Sequence, residues 1–451
     1  MQRRDILALP LLAPFAGLAF ARQASLDPRP WLRSGPMVGF AETTEAAIWL
    51  QTTRACRAQV RYWKQGQPAT ARLSEPFDTR ADGDHIARFT LARLDEGLRY
   101  DYEVYLDGLR VERPHPLTFQ TQKLWQYRTD PPAFRLAFGS CAFVNDAPFD
   151  RPGAPYGDKM EIFTTIAALK PDLMLWLGDN AYLREGDFNS EAGFRYRYAH
   201  TRQLPEMQAL LAATHNYAIW DDHDFGPDNS DRVAGQRGAS LRVFKDYWAN
   251  REYGTLETPG VFGHFQWQDV EVIMLDNRFH RSPNDRRGDP ARQMFGGAQM
   301  DWLMDCLSSS RAPFKLVAAG NQMLNVPVWG ESFSDYPVEQ KRLFEFLRTE
   351  KIPGVVFLSG DRHHTELLKS TSVTSYPLYE FTSSPLTAGG RRIEEETNNP
   401  LRMPGTWVTE TRNFGMLEFS GPRKERVMTM RTYDFAGREL WKHTVTAAEL
   451  K

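Results

Sequence analysis

An α/β layered domain preceded by a small all-β domain is the fold class this sequence predicts. Three observations carry it. From about Ser34 to Thr121 the chain shows short strand patterns and no helical period. Beyond Pro131-Pro132, continuous apolar strands alternate with helical segments, as in α/β layers. The length of 451 residues exceeds what one hydrophobic core fills, so two domains are expected. The 41% hydrophobic and 25% charged fractions are those of a folded globular chain. A net charge of -2 lacks the basic excess of a general nucleic-acid binder.

Taken in order, the first residues read as targeting. Arg3-Arg4 precede an apolar stretch from Ile6 to Phe20, and Ala19-Phe20-Ala21 offers a cleavage pattern. Pro10 and Pro14 make this a poor membrane-spanning helix. The paired arginines resemble a twin-arginine signal, which implies export after folding by that machinery; an ordinary secretory signal or a retained anchor are the alternatives. The expected location is periplasmic or secreted, with no stable membrane span after processing. Residues 22–125 form the expected β domain. In it, Tyr100, Tyr102, Val104 and Leu106 alternate with Asp101, Glu103, Tyr105 and Asp107, and Asp107-Gly108 marks a hairpin. Strands are also read at Ala47–Thr52 and Ala58–Trp63, which together suggest a fibronectin- or immunoglobulin-like sandwich.

Residues 126–451 form the expected α/β domain. Its strands are read at Phe134–Phe138, Leu173–Leu177, Tyr217–Trp220, Val270–Leu275, Lys315–Ala319 and Val355–Leu358. Helices fall at Lys159–Leu169, Glu191–Leu211, Leu241–Asn250, Gln299–Leu307 and Val338–Leu347. Three closing strands follow at Met416–Phe419, Val427–Tyr433 and Glu439–Val445.

Four of the strands run straight into groups that bind metals, at the strand ends where α/β sheets build their sites. The first ends in Gly139-Ser140-Cys141, where Cys141 is either a soft ligand or a buried structural thiol. The second ends in Gly178-Asp179-Asn180-Ala181-Tyr182. Asp179 there is either a ligand or a helix cap, and the Tyr182 phenol suits a hard trivalent ion. The third, Trp220-Asp221-Asp222-His223-Asp224-Phe225, crowds carboxylates whose repulsion a cation would relieve. The fourth is Ser359-Gly360-Asp361-Arg362-His363-His364. Asp361 and His363 offer oxygen and imidazole, Arg362 a fork for phosphate, and His364 added charge or a backbone contact. Hard oxygens, imidazole and one thiolate suit iron (Fe3+) with calcium or another divalent ion. Such a site clamps phosphoryl oxygens and activates water. His223, beside Asp222, is placed to protonate a leaving oxygen.

These four stretches, with Gly296 to Leu303, resemble the alkaline phosphatase D family (PhoD-like phosphatases) of the metallophosphoesterase superfamily. The resemblance implies a four-layer α/β/β/α sandwich with two or more metals. It implies that Cys141, Asp179 and Tyr182 ligate a ferric ion, and that Asp179, Asp222, Asp361 and His363 extend the site to calcium. His223, Arg362 and His364 would then serve catalysis on small-molecule phosphate esters. The superfamily's usual Asp-x-His opening is absent, with Cys141 in its place; Asp224 stands where Glu is frequent. Further ligands are expected near Asn321 or Asp276. Rival readings are a phospholipase-type phosphodiesterase on the same scaffold and a calcium-stabilised binding protein without catalysis. Trp329, Tyr336 and Trp407 line either a cleft or the core. The Gly389 to Glu396 loop reads more readily as solvated surface than as a cover.

Overall fold

The computed structural model describes residues 31–327 and 330–451. The expected export signal and Trp329 lie outside the described residues.

The N-terminal strands form two small sheets. One has the order Leu32–Ala41, Glu45–Thr52, Ile86–Ala92; the other centres on the antiparallel pair Arg57–Lys64 and Arg99–Leu106. The alternation read from residues 100–106 is the burial pattern found: Tyr100, Tyr102, Val104 and Leu106 point inward. Phe119 stacks on Tyr100 at 5.0 Å between ring centres.

The larger unit holds two six-stranded sheets. The first has the order His215–Ile219, Leu173–Leu177, Phe134–Gly139, Asn413–Ser420, Val427–Asp434, Glu439–Thr446. Its first three strands are parallel and the others antiparallel. The second has the order Gly263–Trp267, Val270–Met274, Phe314–Ala318, Val355–Ser359, Leu378–Thr382, Glu366–Ser370. Phe138 meets Phe381 edge-on at 4.7 Å, and Phe314 meets Phe419 at 5.6 Å, so the sheets face one another through aromatic rings. Every residue of Leu173–Leu177, Val270–Met274 and Val355–Ser359 is buried. Such strands need cover on both faces. Helices supply the outer cover; Phe163 of Ile162–Ala168, for example, lies 5.8 Å from Trp176.

Most elements fall within a few residues of their expected places. The helix expected over 191–211 is broken. It runs Glu191–Arg202, turns at Pro205–Met207, and resumes at Gln208–Ala213, because Pro205 lacks the N–H that a continuous helix needs. Strands Gly263–Trp267, Glu366–Ser370 and Leu378–Thr382 were not anticipated.

The N-terminal sheet is joined to the first large sheet through buried polar contacts. Asn216 Nδ2 donates to Val38 O at 3.2 Å, and Ala41 N–H donates to Tyr217 Oη at 3.2 Å. His215 bridges the units: its Nδ1 lies 2.7 Å from Gly39 O, and its Nε2 accepts Gln120 N–H at 3.2 Å. A Cβ on Gly39 would lie 2.4 Å from Ala249 Cβ, so only glycine permits this approach.

Burial pushes the His215 imidazole down to about 4. The neutral ring therefore contributes stability that is complete above the unfolded value near pH 6.5 and is lost as pH falls towards 4, on the order of 3 kcal/mol. Denaturant titration at about pH 7 and about pH 4 checks this; His215→Gln should show a shallower acid dependence than the parent.

Candidate metal centre

The four expected loops converge. Their backbones turn sharply as they leave the strands: Cys141, Asp179, Asp361 and His363 all have left-handed φ values, between 53° and 64°. Non-glycine residues adopt that region at a cost, and such strain gathers at functional sites. The loops also touch. A Cβ on Gly360 would lie 2.5 Å from Ser140 Cβ, which explains the glycine before Asp361. No helix follows Asp179, so the capping alternative for that residue falls away.

Three overlapping groups result, each with ligand atoms within 4.8 Å of one another: Cys141, Asp179 and His363; Asp179, Asp222 and His223; Asp221, Asp222 and Asp361. Asp179 and Asp222 are each shared, so the three form one chain of sites. In the first group, Tyr182 Oη donates to Asp179 Oδ2 at 3.0 Å and lies 3.3 Å from His363 Nε2. Cys141 Sγ receives Ser384 Oγ–H at 3.1 Å and sits 3.5 Å from Asp179 Oδ2. His363 Nδ1 lies 2.6 Å from Gly389 O. A carbonyl can only accept, so Nδ1 carries the proton and Nε2 keeps a lone pair towards the cluster.

In the second group, the His223 ring stacks on Tyr182 at 4.3 Å, and its Nε2 lies 3.7 Å from Asp228 Oδ1. Asn229 N–H donates to Asp222 Oδ2 at 2.7 Å, while the buried Asp222 Oδ1 has no hydrogen-bond partner. In the third, Asp221 Oδ1 accepts Asn277 Nδ2 at 2.8 Å and Arg278 Nε at 2.5 Å. Asn321 Nδ2 reaches both Asp221 Oδ2, at 3.4 Å, and Asp361 Oδ2, at 3.3 Å. Asn277 Oδ1 is buried and unpaired.

Protein groups alone do not settle these charges. Burial pushes the Cys141 thiol up to about 11 and Asp361 up to about 7. Asp179 rises too, from burial and then from Cys141 and the other carboxylates. Burial raises Asp221 to about 6 against the opposing Arg278 charge. Asp222 is held low instead: burial would raise it, but His223, Arg278 and the Asn229 N–H together outweigh that. A cation at the groups would reverse the upward shifts and give Asp222 Oδ1, which is 3.6 Å from Arg278 Nη2 and without a hydrogen bond, a closer partner. The donor set of carboxylate, imidazole, thiol and phenol therefore fits metal.

Several expectations change. Arg362 Nη2 pairs with Glu396 at 2.6 Å, with both side chains buried, so this arm of its guanidinium is turned to a structural partner. His364 is buried, 3.3 Å from Glu366 Oε1 and edge-on to Trp407; it supports the Glu366 network and does not face the cluster. Asp276 is saturated by Trp220 Nε1 and the N–H groups of Val261, Arg278 and Phe279, and is no ligand candidate. Asp224 accepts from the N–H groups of Asn180, Ala181 and Asp221 and from Tyr198, so it ties the second loop to the third. Tyr336 is core, and Trp407 carries Arg402 4.0 Å above its ring. The Gly389 to Glu396 segment is partly solvated, yet its Gly389 O and Arg391 N–H both bond His363. Sequence reasoning passed over Asp221 as a ligand and missed Asn277 and Arg278. The last two follow strand Val270–Met274, the same strand-into-polar signal used elsewhere.

The larger unit's residues 136–427 match the PhoD-like phosphatase family, and residues 29–124 match a family described as Domain of unknown function (DUF7800). The chain belongs to the PhoD-like phosphatase family. It is 22% identical to alkaline phosphatase D of Bacillus subtilis (strain 168) over 369 residues, which is 67% of this chain and 60% of that protein. The match thus spans about three fifths of that relative's length. The solved structure of PhoD superposes with a TM-score of 0.73 at 17% identity, covering 91% of this chain and 92% of that one. A purple acid phosphatase from yellow lupin (Lupinus luteus) seeds superposes with a TM-score of 0.60 at 10% identity, covering 93% and 74%. The fold is a four-layer, metallophosphoesterase-like sandwich with an all-β region ahead of it.

Asp224→Asn turns an amide towards backbone donors that the carboxylate now satisfies. It should cost roughly 2–3 kcal/mol of unfolding free energy, read by denaturant titration.

Proposed function

We propose that this chain is an exported metal-dependent phosphoesterase that hydrolyses phosphate mono- or diesters by direct attack of water. The observation that carries the reading is the shared-carboxylate chain of three ligand groups, linked through Asp179 and Asp222. Cys141, Asp179 and Tyr182, with His363 beside them, suit a ferric ion; Asp179, Asp222 and Asp361, with Asp221 and Asn321, suit calcium or another divalent ion. Bound cations supply positive charge to phosphoryl oxygens and make water acidic enough to attack.

The protein's own groups do the rest. Tyr182 stacks on His223 and fixes its ring beside Asp179 and Asp222. His223, partly open to solvent, is in position to give a proton to the departing oxygen. Arg278, wholly buried, spreads positive charge across Asp221 and Glu331. Water as the nucleophile is supported by Ser140: its hydroxyl is buried, donates to Ser383 O at 3.1 Å and has only the Cys141 thiol, at 3.4 Å, as its other partner, so no carboxylate or imidazole activates it. A phospholipase-type diesterase uses the same groups, and the choice rests on substrate assays. A calcium-stabilised binding protein is the weaker alternative, since structural calcium takes oxygen ligands and leaves Cys141 and His363 without a role. Export, to the periplasm or outside the cell, is supported by Arg3-Arg4 and the apolar stretch after them. Among the described residues no helix is long and apolar enough to cross a membrane.

Aryl mono- and diester hydrolysis measured before and after chelation tests the reading. Chelation should abolish turnover and lower the melting temperature, and iron with a divalent ion should restore both; full activity in metal-free protein would refute it. His223→Asn should keep its metals by elemental analysis and lose about 10²–10⁴-fold in kcat, with a smaller loss on aryl esters, whose leaving oxygen needs no proton.

A further inference from the structure

Between strand Phe134–Gly139 and helix Ile162–Ala168 the chain makes a long excursion beside the cluster. Its base is stapled. Asn145 Nδ2 donates to Gly157 O at 2.7 Å, and Gly157 N–H returns a bond to Asn145 Oδ1 at 2.9 Å. Pro148, Pro152 and Pro155 stiffen what lies between. Three contacts anchor the near side: Arg184 to Asp150 at 2.7 Å, Arg197 to Asp146 at 3.0 Å, and His200 Nε2 to Asn145 O at 3.0 Å. Such a loop is held in place, yet it presents two large aromatic side chains to solvent, Phe149 at 46% exposure and Tyr156 at 41%.

Tyr156 stands at the cluster itself. Its Oη lies 3.1 Å from His363 Nδ1. Its ring meets Phe143 edge-on at 4.9 Å; Phe143 lies 5.1 Å from Tyr182, and Tyr182 stacks on His223. An aromatic row thus runs from Tyr156 along the first ligand group to His223, open to solvent at both ends. Gly389 makes room for it, since a Cβ there would lie 2.8 Å from the Tyr156 ring. The tautomer of His363 does not require Tyr156, because Gly389 O already takes the Nδ1 proton at the shorter distance. Core packing does not account for a ring so exposed.

We propose that the loop of residues 145–157 forms the subsite for the organic half of the ester, and that the Tyr156 ring makes this subsite selective for an aromatic group. The inference rests on the phosphoesterase reading above. A phosphoryl group held by the cluster leaves its substituent beside the aromatic row, where an aryl ring stacks and a short alkyl group finds no partner.

Calorimetric titration of the metal-loaded chain with phenylphosphonate and methylphosphonate reads the subsite without turnover. The parent should bind the phenyl compound about tenfold or more tightly than the methyl one. Tyr156→Ala should bring the two within about twofold by weakening the phenyl compound alone, and Tyr156→Phe should keep the preference. No preference in the parent, a preference retained in Tyr156→Ala, or equal weakening of both compounds would each overturn the proposal. A chain that shows the preference but hydrolyses no phosphate ester sinks the phosphoesterase reading and leaves the subsite standing. Ester hydrolysis without the preference sinks the subsite alone.

Discussion

Carboxylates of like charge, taken out of water and set within a few ångströms of one another, dominate this molecule. Asp179, Asp221, Asp222 and Asp361 are buried or nearly so at the ends of strands that carry almost nothing but apolar side chains. Arg278 compensates only part of that charge, since it serves Glu331 as well. The left-handed turns at Cys141, Asp179, Asp361 and His363 are the conformational counterpart: the backbone accepts strain so that these side chains aim at one place. Neither cost is repaid by packing. Cations held there would offset both, which is why the arrangement fits a metal centre.

The rest of the fold serves that convergence. Two sheets meet through Phe138, Phe381, Phe314 and Phe419, which sets their strand ends side by side. Asp224 locks the second loop to the third, and Gly389, 26 residues on, fixes the His363 ring. The N-terminal sheets reach the same framework from behind. His215, Asn216 and Tyr217, which bond residues 38–41, sit on the very strand that leads into Asp221 and Asp222.

Much of this was legible in sequence, for a physical reason. Strands buried on both faces read as unbroken apolar runs, and a polar residue straight after such a run must lie at a sheet end; Cys141, Asp179, Asp222, Asp361 and His363 stood out on that basis. Residues that face the cluster through amides or compensate it with charge did not. Asn277 and Arg278 look like an ordinary turn until Asp221 is seen beside them. Arg362 and His364 misled because adjacency along the chain does not fix direction: alternate residues in a tight turn point apart, and these two serve Glu396 and Glu366. Pro205 is a plain breaker inside a helical pattern, and its missing N–H outweighs the apolar period around it.

Anomalous X-ray diffraction from crystals of the metal-loaded protein, collected at the iron edge and away from it, is the most direct test of the central claim. One iron peak is expected, enclosed by Cys141 Sγ, Asp179, Tyr182 Oη and His363 Nε2, with a lighter cation between Asp222 and Asp361. Density for ordered water alone among those side chains, in crystals of protein that hydrolyses phosphate esters, would contradict it.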